Sequence, residues 1–322
     1  MPDTSLIVVN YNSAAHTARL VDMLAPSVDE VVVVDNASPD GAAALASLPD
    51  RHSNLRLLCL ETNRGYGAGA NAGAAASARG NDVLVVANPD VTIEPAAFAR
   101  LTAAVTRDQV ALAAPMFLDP DGTLQRSAHR RDPGFVSTVF ELCRPLAGLV
   151  RRLAPGWHPT LLSAAAHATS RDCAHVLGAL MAIRRKAFDA VGGFDETFFL
   201  YREETDLCRR LRTAGWRIRH VADATAEHEG GASTADGTPT MYRPTALTSH
   251  YRYIAKHRGR AVAGIARLLG TASCLLWILV GPKRSRARAL LRWHLGLDRF
   301  CRPHVAKDAT PGRQNPESGE RC

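Results

Sequence analysis

Several features that mark particular protein classes are missing from this chain of 322 residues. Its seven cysteines are widely scattered and include no Cys-x-x-Cys pair, which argues against a zinc ribbon and a disulfide framework, so we expect reduced thiols. No basic segment, long apolar stretch or small-residue cleavage site precedes the strand-like run Ser5 to Val9, and we therefore expect a cytoplasmic protein. With 46% hydrophobic and 22% charged residues, the chain has the composition of a folded protein with a core.

Acidic residues are also scarce after residue 250, where the excess positive charge is concentrated. A basic region suits nucleic acid or an anionic membrane, and the apolar run Leu268 to Gly281 favours the membrane, so we expect no nucleic-acid partner. Ala261 to Gly281 is about long enough to cross a bilayer of ~30 Å, yet Arg267 and the polar residues within it favour an interfacial helix. A soluble helix hairpin is the alternative. The basic residues are Arg252, Lys256, Arg258, Arg260, Arg267, Lys283, Arg284, Arg286, Arg288 and Arg292.

The first hundred residues alternate short β-rich runs with helical patterns, which is typical of a parallel sheet covered by crossover helices. We therefore predict an α/β fold with a mostly parallel sheet flanked by helices, and Ser13 as the N-cap of a helix through Leu24. In such a sheet, ligands bind outside the carboxyl ends of the strands, where this chain carries polar residues. The predicted strands are Leu6 to Val9, Val31 to Val34, Leu55 to Leu60 and Val83 to Ala87.

Regular patterns are interrupted between residues 118 and 172, which we predict to be a variable loop that determines acceptor choice. They return with a strand from His175 to Ile183, and helical patterns cover Pro244 to Lys256 and Arg260 to Leu279. The predicted divisions are a sheet domain over residues 1–233, a basic helical extension over 234–302 and a disordered tail over 303–322.

The richest cluster of acids lies between Gly192 and Leu211, at the start of a predicted helix. Glu203 and Asp206 are three residues apart and share one helix face, whereas Glu204 points to the side. Such carboxylates could transfer protons, or could simply form the acidic first turn that a helix N-terminus favours.

Two of the predicted strands end in an amide and a carboxylate. After the second strand, Asp35 and Asn36 open a turn, and Asp35 could accept a hydrogen bond from a nucleobase or a ribose. After the fourth strand, Asn88 and Asp90 could hold Mg²⁺ or Mn²⁺ against a diphosphate, because Mg²⁺ commonly uses one or two carboxylates together with phosphates. In each case ordinary turn chemistry is the alternative.

A glycine-rich turn and a histidine complete the candidates. The segment Asn63-Arg-Gly65-Tyr-Gly67-Ala-Gly69 opens a helix that contains Asn71, and its amides could approach a phosphate or its small residues could allow close packing. Its spacing differs from that of a dinucleotide-binding fingerprint. His228 lies near a flexible turn and could complete a metal site or be structural.

Taken in order, these segments resemble the family 2 glycosyltransferases, and specifically their bacterial rhamnosyltransferase-like branch. The resemblance runs from about Ser5 to Ser233 and implies a Rossmann-like GT-A fold that transfers a sugar from a nucleoside diphosphate donor, with inversion and a divalent metal. The segments that carry it are Ile7-Val-Val-Asn-Tyr-Asn12, Val34-Asp-Asn-Ala-Ser-Pro-Asp-Gly41, Asn63-Arg-Gly-Tyr-Gly67 with Asn71, Asn88-Pro-Asp90, Gly192-Gly-Phe-Asp-Glu196, Phe199-Leu-Tyr-Arg-Glu-Glu-Thr-Asp-Leu-Cys-Arg-Arg210 and His228.

The resemblance also implies roles for single residues. Asp90 would bind Mg²⁺ or Mn²⁺, His228 would complete its coordination, and a carboxylate would take the proton of the acceptor hydroxyl. The donor-binding residues that it implies are Asn10, Asn12, Asp35, Asn36, Gly65, Asn71, Asn88 and Asp90.

One position departs from the pattern of the branch. Its members commonly read Glu-Asp-x-Asp at the helix start, with the aspartate of the Glu-Asp pair as base, whereas this chain reads Glu203-Glu204-Thr205-Asp206. The longer side chain could move the reacting oxygens by about 1 Å or more. We hypothesise that Glu204 is the base, with Glu203 and Asp206 as alternatives.

The expected reaction moves rhamnose from a dTDP-linked donor to a saccharide or lipid-linked saccharide in cell-envelope polysaccharide synthesis. A UDP-hexose donor and a non-catalytic nucleotide-sugar or glycan-binding subunit are the alternatives. A lipid-linked acceptor would suit a cytoplasmic protein bound peripherally to the inner face of the plasma membrane.

Overall fold

Strands and helices alternate through the described part of this computed structural model, which comprises residues 2–39, 43–107, 109–126, 129–130, 135–154, 158–161, 163–230, 243–280 and 284–296. The strands are β1 Thr4–Asn10, β2 Glu30–Asp35, β3 Leu55–Cys59, β4 Val83–Ala87, β5 Val91–Ile93, β6 Val110–Leu118, β7 His129–Arg130, β8 Arg171–Asp172, β9 His175–Val176, β10 Leu180–Arg184 and β11 Arg217–His228. The helices are α1 Ala14–Leu24, α2 Leu48–Arg51, α3 Tyr66–Ala76, α4 Pro95–Ala104, α5 Phe135–Leu142, α6 Arg144–Leu153, α7 Ala164–His167, α8 Arg185–Ala190, α9 Glu203–Thr213, α10 Pro244–Arg258, α11 Arg260–Val280 and α12 Arg284–His294. Two 3₁₀ turns cover Ala25–Ser27 and Ala43–Leu45.

A mixed sheet organises these elements. Its strand order is β3-β2-β1-β4-β10-β6-β11-β5, and β8 also pairs with β11. The first four strands in this order are parallel, β11 is parallel to β6, and β10 runs antiparallel between β4 and β6. Because β10 is reversed, its first residue Leu180 pairs with Ala87 at the end of β4, which brings Gly178 and Ala179 to the carboxyl edge. The predicted α/β class is confirmed, with a sheet that is mixed.

The strands carry the main core, and small residues let α3 lie close to it. Residues Val31 to Val34 of β2 are completely buried, as expected for a strand covered on both faces. A Cβ atom at Gly73 would lie 2.4 Å from Ile7 Cγ2 and 3.0 Å from Val34 Cγ2. Glycine at this position therefore permits the close contact between helix and sheet.

The C-terminal helices form a second apolar core. Leu247 of α10 packs in a cluster with Ala266 and Trp277 of α11, and Leu142 of α5 joins this cluster. Helices α5 and α6 lie in the segment that we predicted to be an irregular loop, so that prediction is wrong for residues 135–153. Apolar residues do repeat at helical spacing in them, for example Leu146, Leu149 and Leu153 of α6, but the helices have only eight and ten residues, so the periodic signal is short.

Two predictions of local structure, the cap at Ser13 and the strand from His175 to Ile183, differ from the structure. Ser13 precedes α1, but its Oγ donates to the carbonyl of Tyr11 at 3.2 Å and does not cap the helix. The strand predicted from His175 to Ile183 is two strands, β9 and β10, separated by three residues that include Gly178. The predicted tail, residues 303–322, lies outside the described residues.

The five cysteines within the described residues divide into two groups. Cys143, Cys173, Cys208 and Cys274 are free thiols, as expected. Cys59 is disulfide-bonded, which the expectation of reduced thiols missed.

Candidate active site

A set of hydrogen bonds around Asp35 holds the carboxyl ends of β1 and β2. The carboxylate is buried, and its Oδ1 accepts from Asn10 Nδ2 at 2.7 Å and from Ser38 Oγ at 2.6 Å. Asn10 is fixed in turn, because its Oδ1 accepts from Thr17 Oγ1 at 2.8 Å. The backbone N–H of Asn12 donates to Ser38 Oγ at 3.0 Å. Three of the predicted donor-binding residues therefore lie together at one edge of the sheet.

The side chain of Asn36 holds the glycine-rich turn. Its Nδ2 donates to Asn63 Oδ1 and to the carbonyl of Gly65, each at 3.1 Å. Gly65 has φ +99°, and a Cβ atom there would lie 2.1 Å from the carbonyl oxygen of Phe199. Only glycine fits this close approach between the turn and the acidic segment.

The side chain of Asn71 joins α3 to the loop before the acidic helix. Its Nδ2 donates to the carbonyl of Phe194 at 2.9 Å and to Glu196 Oε1 at 3.1 Å, and its Oδ1 accepts from the N–H of Phe194 at 2.9 Å. Both ends of the amide are thus engaged within the protein. Donor contact by Asn71 stays a prediction.

Asp90 and His228 meet where β5 pairs with the end of β11. His228 lies opposite Val91, and its Nε2 is 3.5 Å from Asp90 Oδ1, with both side chains at most 10% exposed. Burial disfavours the charge on Asp90, but the adjacent His228 outweighs it, so the pKa of Asp90 is lowered. Asn88 is fixed nearby through its backbone N–H, which donates to the carbonyl of Ala179 at 2.7 Å.

The hydroxyl of Tyr66 connects this pair to the acidic helix. It donates to the carbonyl of Gly178 at 2.8 Å. The pKa of this buried phenol is raised well above its usual value, first by burial and then by the charges of Glu203, Glu204 and Asp90. A Cβ atom at Gly178 would lie 3.4 Å from Glu204 Cβ, and the neighbouring Ala179 binds Asn88, so this segment lies between the acidic helix and the end of β4.

The two glutamates at the start of α9 have different surroundings. Glu203 is buried, and its Oε2 has no hydrogen-bond partner among the described residues. Glu204 is half-buried, and its Oε1 accepts from Thr205 Oγ1 at 3.1 Å. Burial and the charge of Glu204 raise the pKa of Glu203 well above its usual value. Burial thus disfavours the charged form of Glu203, whereas Glu204 is the more accessible of the two carboxylates.

The turn before these glutamates is held from both sides. Tyr201 and Arg202 have left-handed backbones, with φ of 69° and 73°. Arg202 Nη2 donates to Glu141 Oε2 of α5 at 2.5 Å and to His250 Nδ1 of α10 at 3.0 Å. Burial lowers the pKa of His250 to about 4, so this ring accepts the hydrogen bond in its neutral form.

Asp206 faces the junction between α9 and α10. It is fully buried, and its Oδ2 accepts from Arg210 Nε at 2.7 Å. Its Oδ1 accepts from Lys256 Nζ and His257 Nε2, each at 2.7 Å. Lys256 Nζ also binds Asp195 Oδ2 at 2.6 Å. Both oxygens of Asp206 are engaged by basic groups, so the geometry favours an anchoring role over proton transfer.

Asp90 and His228 fit a divalent cation that takes most of its ligands from the substrate of the enzyme. Among the described residues, no group of three or more His, Cys, Asp and Glu side chains has the geometry to hold a metal. The carboxylate suits Mg²⁺ or Mn²⁺, and such ions commonly take their other ligands from substrate phosphates and water.

Sequence reasoning missed Tyr66, Gln125 and Lys256. Gln125 Oε1 accepts from His228 Nδ1 at 3.0 Å, and this glutamine follows β6, whose carboxyl end lies at the same edge as that of β4. Gln125 lies beyond the turn that follows β6, where its N–H donates back to the carbonyl of Phe117, so neither a strand end nor a motif marks it in the sequence. Tyr66 was quoted only as part of the glycine-rich motif.

The sheet, its polar carboxyl edge and the flanking helices have the arrangement of the GT-A fold. The solved structure of GalNAc-T7 with UDP, GalNAc and Mn²⁺ shares this fold, with a TM-score of 0.58, 15% identity, and coverage of 92% of this chain and 56% of that chain.

The chain belongs to glycosyltransferase family 2, because its residues 2–247 match the family described as glycosyltransferase like family 2. It is 30% identical over 307 residues to the N-acetylglucosaminyl-diphospho-decaprenol L-rhamnosyltransferase of Mycobacterium tuberculosis, covering 88% of this chain and 96% of that one. It is also 28% identical over 230 residues to the low-salt glycan biosynthesis hexosyltransferase Agl10 of Haloferax volcanii, covering 71% of this chain and 67% of that one. The predicted class of enzyme, a glycosyltransferase, is thereby confirmed.

Proposed function

We propose that this enzyme moves rhamnose from dTDP-rhamnose to a lipid-linked saccharide in cell-envelope polysaccharide synthesis, with inversion and with a divalent metal. The observation that carries the proposal is that Gly178 lies against Glu204 while the next residue, Ala179, binds Asn88, which brings the acidic helix to the strand end that carries Asp90. It occurs in a chain similar along 88% of its length to a mycobacterial N-acetylglucosaminyl-diphospho-decaprenol L-rhamnosyltransferase.

Two residues on the strand edge would hold the metal. Asp90 offers a carboxylate and His228 a ring nitrogen 3.5 Å away. A divalent cation, when bound, neutralises the charge on the departing diphosphate. Asp35 would bind the base or the ribose of the donor, since its position is fixed by Asn10 and Ser38. The other donor-side residues proposed are Asn12, Asn36, Gly65, Asn71 and Asn88.

Glu204 would act as the base. As the acceptor oxygen bonds to the anomeric carbon, the bond from that carbon to the diphosphate breaks on the opposite face, which inverts the configuration. The hydroxyl proton passes to Glu204, which is more accessible to an acceptor than the buried Glu203.

A screen of dTDP- and UDP-linked sugars for Mn²⁺-dependent hydrolysis tests the donor. We expect dTDP-rhamnose to be consumed fastest. Faster hydrolysis of a UDP-hexose would show that the donor is a UDP-hexose and not dTDP-rhamnose. Binding of donors without turnover would instead indicate a nucleotide-sugar-binding subunit.

We also infer peripheral membrane attachment through α11, on the inner face of the plasma membrane. Arg260–Leu279 is one helix within the described ranges that is long and apolar enough to cross a membrane, and only 22% of its apolar window is buried. Apolar residues repeat along one face of it at helical spacing, and α6 beside it adds three exposed leucines. They are Ile265, Leu268, Leu269, Leu275, Leu276 and Leu279 of α11, and Leu146, Leu149 and Leu153 of α6.

Flotation with lipid vesicles tests the attachment. Because α12 is rich in arginine, we expect binding to vesicles that contain phosphatidylglycerol and weaker binding to neutral phosphatidylcholine vesicles. Deletion of residues 259–322 should abolish flotation, and the double variant Leu268→Ser, Leu279→Ser should weaken it. Equal flotation of wild type and deletion variant would refute the attachment by α11.

A further inference from the structure

A line of hydrogen-bonded side chains runs from an exposed turn to the Asp90–His228 pair. Asp119 Oδ1 accepts from Gln125 Nε2 at 2.7 Å, and Gln125 Oε1 accepts from His228 Nδ1 at 3.0 Å. His228 then presents Nε2 to Asp90 at 3.5 Å. The first two contacts have ordinary hydrogen-bond lengths, whereas the last is long for one.

The two bonds of Gln125 determine which nitrogen of His228 carries the hydrogen. An ionised carboxylate only accepts, so the amide nitrogen of Gln125 faces Asp119 and its oxygen faces the ring. An amide oxygen also only accepts, so the hydrogen resides on Nδ1 of His228. The other nitrogen, Nε2, faces Asp90 at 3.5 Å and is the one that a cation held by both side chains would contact.

The backbone around this line is well fixed. The N–H of Gln125 donates to the carbonyl of Phe117 at 2.9 Å, and the N–H of Asp119 donates to the carbonyl of Thr123 at 2.8 Å. Phe117 also packs against the ring of His228, with centroids 5.9 Å apart. The backbone of Gln125 is thus fixed by its hydrogen bond to Phe117, independently of the contact with His228.

We propose that Gln125, oriented by Asp119, is a positioning residue that holds His228 in the tautomer able to bind a divalent cation together with Asp90. This inference rests on the metal site of the proposed function. Groups that donate to or accept from the second nitrogen of a metal-bound histidine orient the ring and strengthen the metal bond.

Mn²⁺ affinity tests the proposal without any measurement of turnover. Free Mn²⁺ is followed by electron paramagnetic resonance while the ion is titrated into the full-length protein in the presence of dTDP. Gln125→Leu should weaken Mn²⁺ binding about 10- to 100-fold, as loss of such a partner typically does. Asp121→Asn is the matched control, because Asp121 Oδ1 accepts from Thr123 in the same turn without touching His228, and it should leave the affinity unchanged.

Exchanging the carboxylate and the amide between positions 119 and 125 should restore the affinity for Mn²⁺. Gln125→Glu alone places two carboxylates together and should disturb the line, whereas Asp119→Asn with Gln125→Glu restores a donor facing an acceptor and should recover most of the wild-type affinity. If Gln125→Leu fails to fold, as judged by circular dichroism, the Mn²⁺ affinity of this double variant tests the positioning role instead. An affinity as poor as that of Gln125→Glu alone would overturn the proposal.

Asp90→Ala separates this inference from the proposed metal site. If Asp90→Ala loses Mn²⁺ while Gln125→Leu binds it like the wild type, only the positioning role is wrong. If the wild type binds no Mn²⁺, or Asp90→Ala binds it normally, the metal site itself is wrong and the role of Gln125 is refuted with it.

Discussion

The two sides of the candidate site are held in place by different means. On the strand side, Asp35 is fixed by neutral groups within the first forty residues, namely Asn10 and Ser38. On the helix side, Asp206 is fixed by basic groups that include Lys256 and His257 of α10, fifty residues downstream. The strand side is therefore local to the sheet, whereas the helix side depends on the C-terminal region.

This difference bears on the predicted division at residue 233. Helix α10 lies beyond it, yet Ser249 Oγ donates to the carbonyl of Leu200 at 2.8 Å and His250 contacts Arg202. The family match also extends to residue 247, inside α10. The turn that presents Glu203 and Glu204 is thus supported by α10, and variants on the two sides should fail in different ways.

The largest expected effect is on turnover, at Glu204. Glu204→Gln removes the proposed proton acceptor and should lower the transfer rate about 10²- to 10⁴-fold. Mn²⁺ and donor affinities should be unchanged, because both are properties of the strand side. Glu204→Asp should retain partial activity. Wild-type turnover of Glu204→Gln, together with inactivity of Asp206→Asn, would transfer the role to Asp206.

Next is the stability of the helix side. Asp206→Asn removes the buried carboxylate that three partly buried basic groups share and should lower the free energy of unfolding by about 3 kcal/mol. Urea denaturation measures this. Glu229→Gln is the control, since the pairs of Glu229 with His16 and Arg19 are at the surface and contribute roughly 0–1 kcal/mol. Equal effects of the two substitutions would contradict the anchoring role.

A third effect is a loss of stability in acid, from His250. Its pKa falls from 6.5 in the unfolded chain to about 4 in the folded protein, so below pH 6.5 only the unfolded chain binds the proton. Stability should therefore decrease as the pH falls from 6.5 to about 4, by roughly 3 kcal/mol. Urea titrations of wild type and His250→Gln at several pH values measure it. An identical pH dependence in the variant would remove His250 as the cause.

The smallest effect is expected on the strand side. Asp35→Asn keeps the size of the side chain but removes a charged acceptor, and hydrogen bonds to charged groups contribute about 1.5–3 kcal/mol. Donor affinity measured by calorimetry should fall roughly 10- to 100-fold. Mn²⁺ affinity should not change. A variant that binds the donor normally would exclude Asp35 from the donor site.

Much of the fold was predictable because its signals are local. The buried valines of β2 and the polar residues that follow it, such as Asp35, mark a covered strand and its functional end. The pairing of Asp90 with His228 was implied only by the family resemblance, and in the structure it follows from the register of β5 and β11.

The rest depends on contacts between distant parts of the chain. Spacing put Glu203 and Asp206 on one helix face, but burial raises the pKa of Glu203, and Arg210 of α9 and His257 of α10 engage the two oxygens of Asp206. Helices α5 and α6 were missed because each offers only a short periodic pattern. Gln125 was missed because it lies beyond the turn that follows β6 and reaches His228 only through the fold of that turn.

Sugar transfer to a defined acceptor tests the central claim most directly. The full-length protein is incubated with labelled dTDP-rhamnose, Mn²⁺ and polyprenyl-diphosphate-linked N-acetylglucosamine, and the lipid product is separated and counted. We predict that rhamnose appears on the lipid, that chelation of the metal stops it, and that Glu204→Gln forms almost none while still binding the donor. Failure to transfer or hydrolyse any dTDP- or UDP-linked sugar, despite binding them, would contradict the account.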